Sequence, residues 1–429
     1  MKKYKLNDLT TKEYRDLLSR PAINFEKIFE VVGPILNDIK KNGVKAAKRY
    51  AKKFDGLEGD DLQVANKEFA DAENNLDKKI KTALKDAAMN IEKFHLNQKP
   101  KGFEVETVKG VKCSREFRAI DNAGIYIPGG SAVLPSTMLM LAIPAQIAGC
   151  KRVVAVSPVK NNKVNDPLLY AAKLCGVNEF YKVGGAQAIG LLAYGDVSIP
   201  KVNKIFGPGN QFVTAAKLLV STDPEGCAID MIAGPSEVLI IADEDADASF
   251  VAADLLSQAE HGSDSQAILI SDSAEKIDEI NAELYIQLKA LPRKELAEKS
   301  ISNSFSLLVN DLDEAIEFSN NYAPEHLILN ISNGADIKDR IQNAGSVFIG
   351  NYSPESAGDY ASGTNHSLPT SGFAKSFGGV TVESFMKSIT FQTLTKEGLS
   401  DISGTIETLA ETEGLSAHKN AVSIRLKNG

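Results

Sequence analysis

Short apolar segments alternate with helical segments along most of the chain from Ala123 onward, and this alternation restricts the fold more than any other feature. One series of such segments covers about residues 123–236, and a second series covers about 237–349. Strand, helix and strand in succession imply right-handed crossovers and a parallel sheet. The sequence therefore predicts an α/β protein with two Rossmann-like, incomplete, doubly wound domains.

The elements of both series can be placed from their apolar runs and turn residues. The first series predicts strands at Gly124–Ile127, Arg152–Val156, Glu179–Val183, Lys204–Phe206 and Ala228–Met231, and helices at Pro135–Ala148, Pro167–Leu174, Ala186–Ala193 and Phe212–Val220. The second series predicts strands at Val238–Ala242, Ala267–Ser271, Ser306–Val309, Leu327–Leu329 and Val347–Ile349, and helices around Ala246–Glu260, Ala274–Leu288, Asp313–Asn320 and Ile337–Asn343.

The first hundred residues have helical periodicity. Asn24 is suited to cap a helix from Phe25 to about Lys41 that ends at Gly43, and a further helix spans Asp77 to about Leu96. His95, near the end of this basic helix, is expected to be a solvated side chain. Phe103–Val108 and the following residues alternate as in a β-hairpin. We expect these helices and the hairpin to pack on the second sheet.

The predicted domains follow from these elements. Residues 1–23 form an N-terminal helical segment, residues 24–125 and 237–380 a first α/β domain, and residues 126–236 a second one. A long loop rich in Ser, Gly, Asn and Pro runs from Gly350 to Gly379, and such loops are often functional. Residues 381–429 are a C-terminal tail, with a helix near Ala417–Arg425.

Length, charge and cysteine content restrict the class of protein. A chain of 429 residues with 43% apolar residues is long enough for two or three cores. A net charge of −8 argues against a nucleic-acid partner, which needs a basic face. The most apolar stretch, Met138 to Cys150, is too short to span a membrane, and the start lacks the pattern of a signal peptide. The four cysteines form no CxxC pair, so we expect reduced thiols and a cytoplasmic protein.

The histidines point to the chemistry of the chain. Only five are present, and four of them, His261, His326, His366 and His418, lie in the second half beside groups that bind metals or move protons. Imidazole titrates near neutral pH and is the commonest metal ligand in proteins. This distribution suggests a metal-dependent enzyme that transfers protons.

Gln258 and His261 are three residues apart on a predicted helix, so their side chains share one face. Such a pair can form half of a metal site, although a surface histidine before a glycine cap fits the same pattern. The HExxH signature of many zinc hydrolases is absent. Asp359 and His418 could complete a site of four N/O ligands, but their spacing does not show that they meet.

Glu325 and His326 follow Pro324 at the start of a predicted strand. A carboxylate beside an imidazole suits water activation and proton transfer. A surface charge pair fits the same two residues equally well.

Four glycine-containing loops are suited to a close approach of the backbone to a ligand. They are Pro128-Gly129-Gly130-Ser131, Gly184-Gly185-Ala186-Gln187, Gly207-Pro208-Gly209-Asn210 and Gly234-Pro235-Ser236. Three of them lie between a predicted strand and a helix, where helix N-termini attract phosphate. GxGxxG is absent, so a nucleotide site and a set of tight turns both remain open.

Several longer strings resemble the histidinol dehydrogenase family. In chain order they are residues 124–130, 183–189, 204–210, 229–237, 254–262, 321–327, 354–360 and 363–369, and they include Asp254-Leu255-Leu256-Ser257-Gln258-Ala259-Glu260-His261-Gly262 and Asn321-Tyr322-Ala323-Pro324-Glu325-His326-Leu327. These strings extend over nearly the whole chain and follow the order of the family. The resemblance implies a zinc-dependent oxidation of L-histidinol through L-histidinaldehyde to L-histidine with two NAD, in the last steps of histidine biosynthesis.

The resemblance also implies residue roles, which we carry over motif by motif. Zinc would be held by Gln258, His261, Asp359 and His418; Glu325 would activate water and His326 would act as general acid and base; Tyr126, Gln187 and Asn210 would contact NAD; Ser236, His326, His366 and Glu413 would join the zinc ligands around the substrate. The family is expected to be a homodimer in which the C-terminal tail, with His418, reaches the partner subunit.

Two other functions stay open. A zinc hydrolase would use the same ligands without a nucleotide, and the glycine loops speak against it. A non-catalytic relative would keep the fold and the metal as a binding protein, and the intact Glu325-His326 pair speaks against that.

Overall fold

The strands of the protein form three sheets. The structure is a computed structural model that describes residues 1–20, 25–129, 134–232 and 234–427, so the expected cap at Asn24 and the loop residues Gly130 and Ser131 lie outside the described residues. In the described ranges the strands are β1 (Lys2–Lys5), β2 (Phe103–Val108), β3 (Val111–Ala119), β4 (Asn122–Tyr126), β5 (Arg152–Ser157), β6 (Glu179–Lys182), β7 (Lys204–Phe206), β8 (Ala228–Ile229), β9 (Glu237–Ala242), β10 (Gln266–Ser271), β11 (Phe305–Leu308), β12 (His326–Asn330), β13 (Ser346–Ile349) and β14 (Met386–Leu394).

The helices surround these sheets. Over the same ranges they are α1 (Thr11–Leu18), α2 (Phe25–Tyr50), α3 (Asn66–Asn75), α4 (Lys78–Leu96), α5 (Pro135–Ala148), α6 (Asp166–Leu174), α7 (Gly185–Tyr194), α8 (Gln211–Thr222), α9 (Ala248–Ala259), α10 (Ala274–Leu288), α11 (Lys294–Ser302), α12 (Leu312–Tyr322), α13 (Glu355–Tyr360), α14 (Lys396–Thr412) and α15 (Ser416–Lys427). A π-helical turn follows α2 at Ala51–Asp55, and 3-10 turns occur at Leu6–Asp8, Lys338–Arg340, Phe373–Lys375 and Glu383–Phe385.

Two of the sheets are parallel and have the same topology. The five-stranded sheet has the order β6-β5-β4-β7-β8, and the six-stranded sheet has the order β1-β11-β10-β9-β12-β13. All pairs within each sheet are parallel. Numbered within its own series, each sheet reads third, second, first, fourth, fifth strand, with β1 added at one edge of the second sheet. This is the doubly wound order of Rossmann-like folds, and the predicted fold class is confirmed.

Continuous apolar runs explain why these strands are central. Every residue of β9 and β10 is buried, as expected for parallel strands covered by helices on both faces. Helix α5 is buried on nearly all sides and lies between the first sheet and other helices. A helix without a polar face belongs in a core.

The early helices pack on the first sheet, so the expectation that they cover the second one is wrong. Ile28, Val32 and Leu36 of α2 share a core with α7 and α8, and α4 packs on α5. A Cβ atom added at Gly190 of α7 would lie 3.0 Å from Leu36 Cδ2, so this glycine allows the close approach of α2. How the chain divides into independently folding domains is not tested by these contacts, and the domain boundaries stay a prediction.

The third sheet is antiparallel and carries the tail. Its order is β14-β3-β2, so the predicted hairpin of β2 and β3 is confirmed and pairs with the C-terminal strand β14. Helices α14 and α15 follow and pack on each other. The predicted terminal helix near Ala417–Arg425 is confirmed as α15.

Several local expectations were wrong. The N-terminal segment contains α1, but Lys2–Lys5 forms a strand beside β11. The helix predicted at Ile337–Asn343 is only the 3-10 turn Lys338–Arg340, and α11 was not predicted. His95 is fully buried rather than solvated. Its Nδ1 lies 2.6 Å from Gln98 Oε1, and its Nε2 faces the Asn365 amide.

Within the described ranges, no helix combines the length and apolar character needed to cross a bilayer.

Candidate active site

A cavity of about 540 Å³ lies where the two parallel sheets face each other. On one side it is lined by residues after β4 and β7, at the carboxyl edge of the first sheet, including Pro128 and Pro208. On the other side it is lined by Ser236, Glu325 and His326, at the amino edge of the second sheet. Each edge contributes at the point where the strand order reverses, between the first and fourth strands of its series.

The side formed by the first sheet consists mainly of helix N-termini. The cavity is lined by Ser136 and Thr137 from the first turn of α5 and by the residues that begin α8. Asn210 caps α8, because its side-chain oxygen accepts hydrogen bonds from Phe212 N at 3.0 Å and Val213 N at 3.1 Å. These termini carry partial positive charge and suit an anionic ligand.

Packing within the protein explains the glycines of these loops. A Cβ atom at Gly129 would lie 2.4 Å from Pro158 Cγ, and one at Gly184 would lie 2.5 Å from Pro158 Cβ. One at Gly207, whose φ is +115°, would lie 2.2 Å from the carbonyl oxygen of Tyr126. Close packing within the protein therefore accounts for these glycines, so the glycines by themselves do not support a nucleotide site.

The side formed by the second sheet carries imidazoles and carboxylates. Helix α9 runs back from the carboxyl edge, so its last turn brings Gln258, and the residue after its cap brings His261, to the amino edge. Glu355 and Asp359 are four residues apart on α13 and share one face. Ligand atoms of His261, Glu355 and Asp359 all lie within 4.8 Å of one another. One divalent cation could contact all three.

His326 is buried and oriented by the backbone. Its Nδ1 lies 3.2 Å from the carbonyl oxygen of Glu237, which can only accept, so Nδ1 carries the proton. Its Nε2 has no hydrogen-bond partner among the described residues and lies 4.0 Å from Asp359 Oδ1. Burial lowers the pKa of His326 to about 3, so the ring is neutral and Nε2 holds a free lone pair.

Burial makes ionisation of the carboxyl groups in the cavity unfavourable. Burial raises the pKa of Glu325 and of Glu355 well above their usual range, and raises the pKa of Asp359 to about 6. Glu325 Oε2 accepts one hydrogen bond, from Glu237 N at 2.9 Å, and Glu355 Oε2 has no partner among the described residues. The described lining contains no Lys or Arg. Such a set of donors favours a cation.

Gln258 and His366 complete the arrangement. With its nitrogen placed towards the surrounding acceptors, the buried Gln258 amide donates to Glu355 Oε1 at 3.1 Å and to the Glu237 carbonyl at 3.2 Å. His366 Nε2 lies 3.0 Å from Thr137 Oγ1, and its Nδ1 lies 3.0 Å from the carbonyl oxygen of Asp359. His366 therefore links α5, which packs on the first sheet, to Asp359 of α13 on the side of the second sheet.

The structure brings most of the expected site residues together. The cavity is lined by Ser236, Gln258, His261, Glu325, His326, Asp359, His366 and Asn210. Tyr126 and Gln187 are buried and are not part of its described lining; Tyr126 Oη accepts from Gly185 N at 3.2 Å, and Gln187 Nε2 donates to Asp55 Oδ2 at 3.2 Å. Glu413 and His418 are exposed in the tail and do not line the cavity of their own chain, as far as that chain is described.

Sequence reasoning missed Glu355 and Glu237. Glu355 could have been found, because its spacing of four residues from Asp359 places both on one helical face. Glu237 gave no such signal, since its backbone N–H and carbonyl rather than its side chain contact Glu325 and His326.

Comparison with known proteins agrees with this geometry. Residues 18–426 match the family described as histidinol dehydrogenase. A chloroplastic histidinol dehydrogenase from Arabidopsis thaliana is 51% identical, with 100% of this chain and 92% of that protein covered. A histidinol dehydrogenase from Bacteroides thetaiotaomicron is 51% identical, with 96% of each chain covered. The crystal structure of histidinol dehydrogenase from Elizabethkingia anophelis superposes with a TM-score of 0.95 at 48% identity, and covers 100% of this chain and 98% of that one.

Fold, site and relatives together define the class of the protein as an oxidoreductase of the dehydrogenase type, built on two parallel α/β sheets. Within that class, the chain belongs to the histidinol dehydrogenase family, which it matches over nearly its whole length.

Proposed function

We propose that this protein oxidises L-histidinol through L-histidinaldehyde to L-histidine, with two NAD and one zinc ion per subunit, as the last steps of histidine biosynthesis. The observation that carries the proposal is the neutral His326, with a free Nε2, beside the His261–Glu355–Asp359 cluster and opposite the N-termini of α5 and α8. Membership of the family supports the choice of substrate.

The donor set fits a zinc ion. Gln258, His261 and Asp359 would hold it together with His418, and Glu355 lies close enough to act as a further ligand or as the partner that orients Gln258. Zinc accepts such mixed N/O ligands. A neutral amide among them offsets less of the charge of the ion, so the ion could also bind substrate atoms. When bound, the ion would hold the imidazole and amine of histidinol and offset the charge of the buried carboxylates.

His326 would take the hydroxyl proton during oxidation of the alcohol. Its Nδ1–H is fixed on the Glu237 carbonyl, so the free Nε2 is the basic atom, and it faces the same space as Asp359. A neutral imidazole can accept this proton, whereas an imidazolium could not. NAD supplies the hydride acceptor in both oxidations.

Glu325 would act in the second oxidation. The aldehyde must be hydrated before it can be oxidised to an acid, so a base has to remove a proton from water. Burial raises the pKa of Glu325, which makes its carboxylate a stronger base than an exposed glutamate. Its position next to His326 lets the two residues serve successive steps at one bound substrate.

The first sheet would hold NAD. Asn210 fixes the start of α8, and the N-termini of α5 and α8 lie at the cavity where an anionic pyrophosphate would be stabilised. Tyr126 and Gln187 stay candidates for contacts with a more distant part of the cofactor, since both lie at the carboxyl edge of the same sheet. Ser236 and His366 would contact the substrate from the cavity wall.

The protein would be a homodimer with shared active sites. The tail and the hairpin expose large apolar side chains, as expected of a surface that another subunit covers. They are Phe103, Val105, Val108, Ile389, Phe391, Leu394, Leu409, Leu415 and Ile424. His418 and Glu413 lie on this same tail, away from the cavity of their own chain, so each would complete the site of the partner.

No nucleic-acid or membrane partner is part of the proposal, and the free cysteines suit a cytoplasmic location.

Histidinol-dependent formation of NADH tests the function directly. Purified protein with histidinol and NAD should produce two NADH for each histidine, and a chelator should abolish the activity while the circular-dichroism spectrum is retained. Zinc, manganese or cobalt should restore it. Zinc-replete protein that binds histidinol without forming NADH would identify a binding protein instead, and a hydrolytic product would identify a zinc hydrolase.

Subunit mixing tests the shared site. An inactive Gln258→Ala, His261→Ala subunit is exchanged with an inactive His418→Ala subunit. If the tail acts in the partner, the heterodimer has one intact set of ligands and one set that lacks three, so activity should return towards half. An inactive mixture with proven subunit exchange would show that His418 serves its own chain.

A further inference from the structure

The backbone of one residue, Glu237, contacts both residues to which we assign proton transfer. The backbone N–H of Glu237 donates to Glu325 Oε2 at 2.9 Å, and the carbonyl oxygen of Glu237 accepts from His326 Nδ1 at 3.2 Å. The N–H and the carbonyl belong to the successive peptide groups on either side of the Glu237 Cα, so a displacement of this backbone would disturb the carboxylate and the imidazole together. What holds Glu237 in place is thus relevant to both.

A buried arginine holds the side chain of Glu237. Arg20 donates from Nε to Glu237 Oε1 at 3.0 Å and from Nη2 to Glu237 Oε2 at 2.8 Å, so the pair is bidentate. Ser371 N donates to Glu237 Oε1 at 2.7 Å. The side chains of Arg20 and Glu237 are 14% and 2% exposed, so water competes little for these contacts.

Arg20 also contacts the segment that leads into the catalytic pair. Its guanidinium lies 3.5 Å from the centre of the Tyr322 ring, and Nη2 donates to the carbonyl oxygen of Ala323 at 3.3 Å. Ala323 has a φ of +55°, a conformation that alanine seldom adopts, and it lies two residues before Glu325. One guanidinium thus fixes the start of β9 relative to the turn between α12 and β12.

We propose that Arg20 and Glu237 form a positioning pair, which holds the backbone of Glu237 so that its N–H and its carbonyl orient Glu325 and His326 for the oxidation of histidinol. The proposal rests on the function proposed above. Arg20 and Glu237 are not part of the described lining of the cavity, so they act through Glu325 and His326 rather than on substrate. The N-terminal segment, remote in sequence from the other site residues, thereby becomes part of the active site's support.

Kinetics of Arg20 and Glu237 variants test the pair. Arg20→Ala and Glu237→Gln should each lower kcat about 10- to 100-fold, because small displacements of catalytic groups have effects of this size. KM for histidinol and for NAD, and the zinc content, should change little. Arg20→Lys keeps the charge but not the bidentate geometry, so its loss of kcat should be smaller. The double variant should be no slower than the slower single variant, since the two residues act as one unit.

A half-buried arginine–glutamate pair with the same bidentate geometry provides the control. Arg152 donates from Nε to Glu179 Oε2 at 2.7 Å and also contacts Glu179 Oε1, at the amino edge of the first sheet and away from the cavity. Arg152→Ala and Glu179→Gln should lower the unfolding temperature without lowering kcat, measured well below that temperature. If the Arg20 variants lose no more kcat than these controls, the pair is merely structural and the proposal is wrong.

A spectroscopic readout separates this proposal from the function itself. In protein labelled with 15N-histidine, His326 should show the Nδ1-protonated tautomer in the wild type, and a mixture of tautomers in Arg20→Ala and Glu237→Gln. An unchanged tautomer in both variants would overturn the positioning role even if histidinol were oxidised. Wild-type protein that forms no NADH from histidinol would instead contradict the proposed function.

Discussion

The two parallel sheets have the same strand order but present opposite edges to the cavity. The first sheet contributes its carboxyl edge with the N-termini of α5 and α8, and the second contributes its amino edge with the C-terminus of α9. Helix N-termini favour anions, and helix C-termini favour cations. One fold, used in two orientations, therefore supplies one environment that suits the proposed phosphate-bearing cofactor and another that suits the proposed metal and a basic substrate.

The carboxyl edge of the second sheet is less suited to an anion than that of the first sheet at two of its helix N-termini. There the N-termini of α9 and α12 are capped by Asp247 and Asp311, whose negative charges would repel a phosphate. At the cavity, α8 is capped by Asn210, which is neutral. In the proposed site, the rule that ligands bind at the carboxyl edge of open α/β sheets would thus hold for one sheet and not for the other.

The largest effects are expected on the side of the second sheet. His326→Asn can still donate to the Glu237 carbonyl but has no basic atom, so it should lower the rate of alcohol oxidation by about 10²–10⁴-fold. Glu325→Gln should spare this step and slow the oxidation of histidinaldehyde by a similar factor. Single-turnover kinetics with each substrate measure both. Equal losses for the two substrates in Glu325→Gln would contradict the division of roles.

A smaller effect is expected on the side of the first sheet. Asn210→Asp keeps the cap of α8 but adds a negative charge at the proposed pyrophosphate site, so KM for NAD should rise about tenfold, the effect of roughly 1.4 kcal/mol. KM for histidinol and the unfolding temperature should stay the same. The control is Asp247→Asn, the reverse change at the cap of α9, which should leave KM for NAD unchanged. A similar rise in both variants would show that α8 does not bind the cofactor.

The smallest effect is expected for the hydrogen bond between Thr137 of α5 and His366, which links the sides of the cavity formed by the first and the second sheet. Thr137→Val removes the hydroxyl that lies 3.0 Å from His366 Nε2, while it keeps the volume of the side chain. The loss of one hydrogen bond should lower the free energy of unfolding by about 1 kcal/mol and raise KM for histidinol a few-fold, because His366 is then less well oriented. Chemical denaturation and steady-state kinetics measure the two effects, and an unchanged KM would remove His366 from the proposed substrate site.

Elements with a strong local signal could be predicted from the sequence. Helix α5 and strand β7 have the bounds that their apolar runs and flanking turn residues predict. Strand β1 could not be predicted, because Lys2-Lys3-Tyr4-Lys5 has no apolar pattern and owes its conformation to pairing with β11. Periodicity shows which face of α2 is buried but not what covers it, and this is why the packing of the early helices was predicted wrongly.

The candidate site also contains some features that could be predicted from the sequence and others that could not. The side chains to which we assign chemistry, such as His261 and Glu325, were singled out by residue type and spacing, and the structure places them in one cavity. His95 was misjudged because its basic neighbours suggested solvent, whereas a loop more than 260 residues away, at Asn365, covers it. The backbone contacts of Glu237 could not be predicted at all, since they depend on the register of β9 beside β12.

The lack of Lys and Arg along the described wall of the cavity bears on how the enzyme would turn over. Oxidation converts a neutral alcohol into a carboxylate, so the product carries a negative charge that the substrate does not have. This charge would meet Glu325, Glu355 and Asp359, and it would have to compete with them for a bound cation. The cavity should thus hold histidine more weakly than histidinol, so that the product would leave readily and would inhibit the enzyme only weakly.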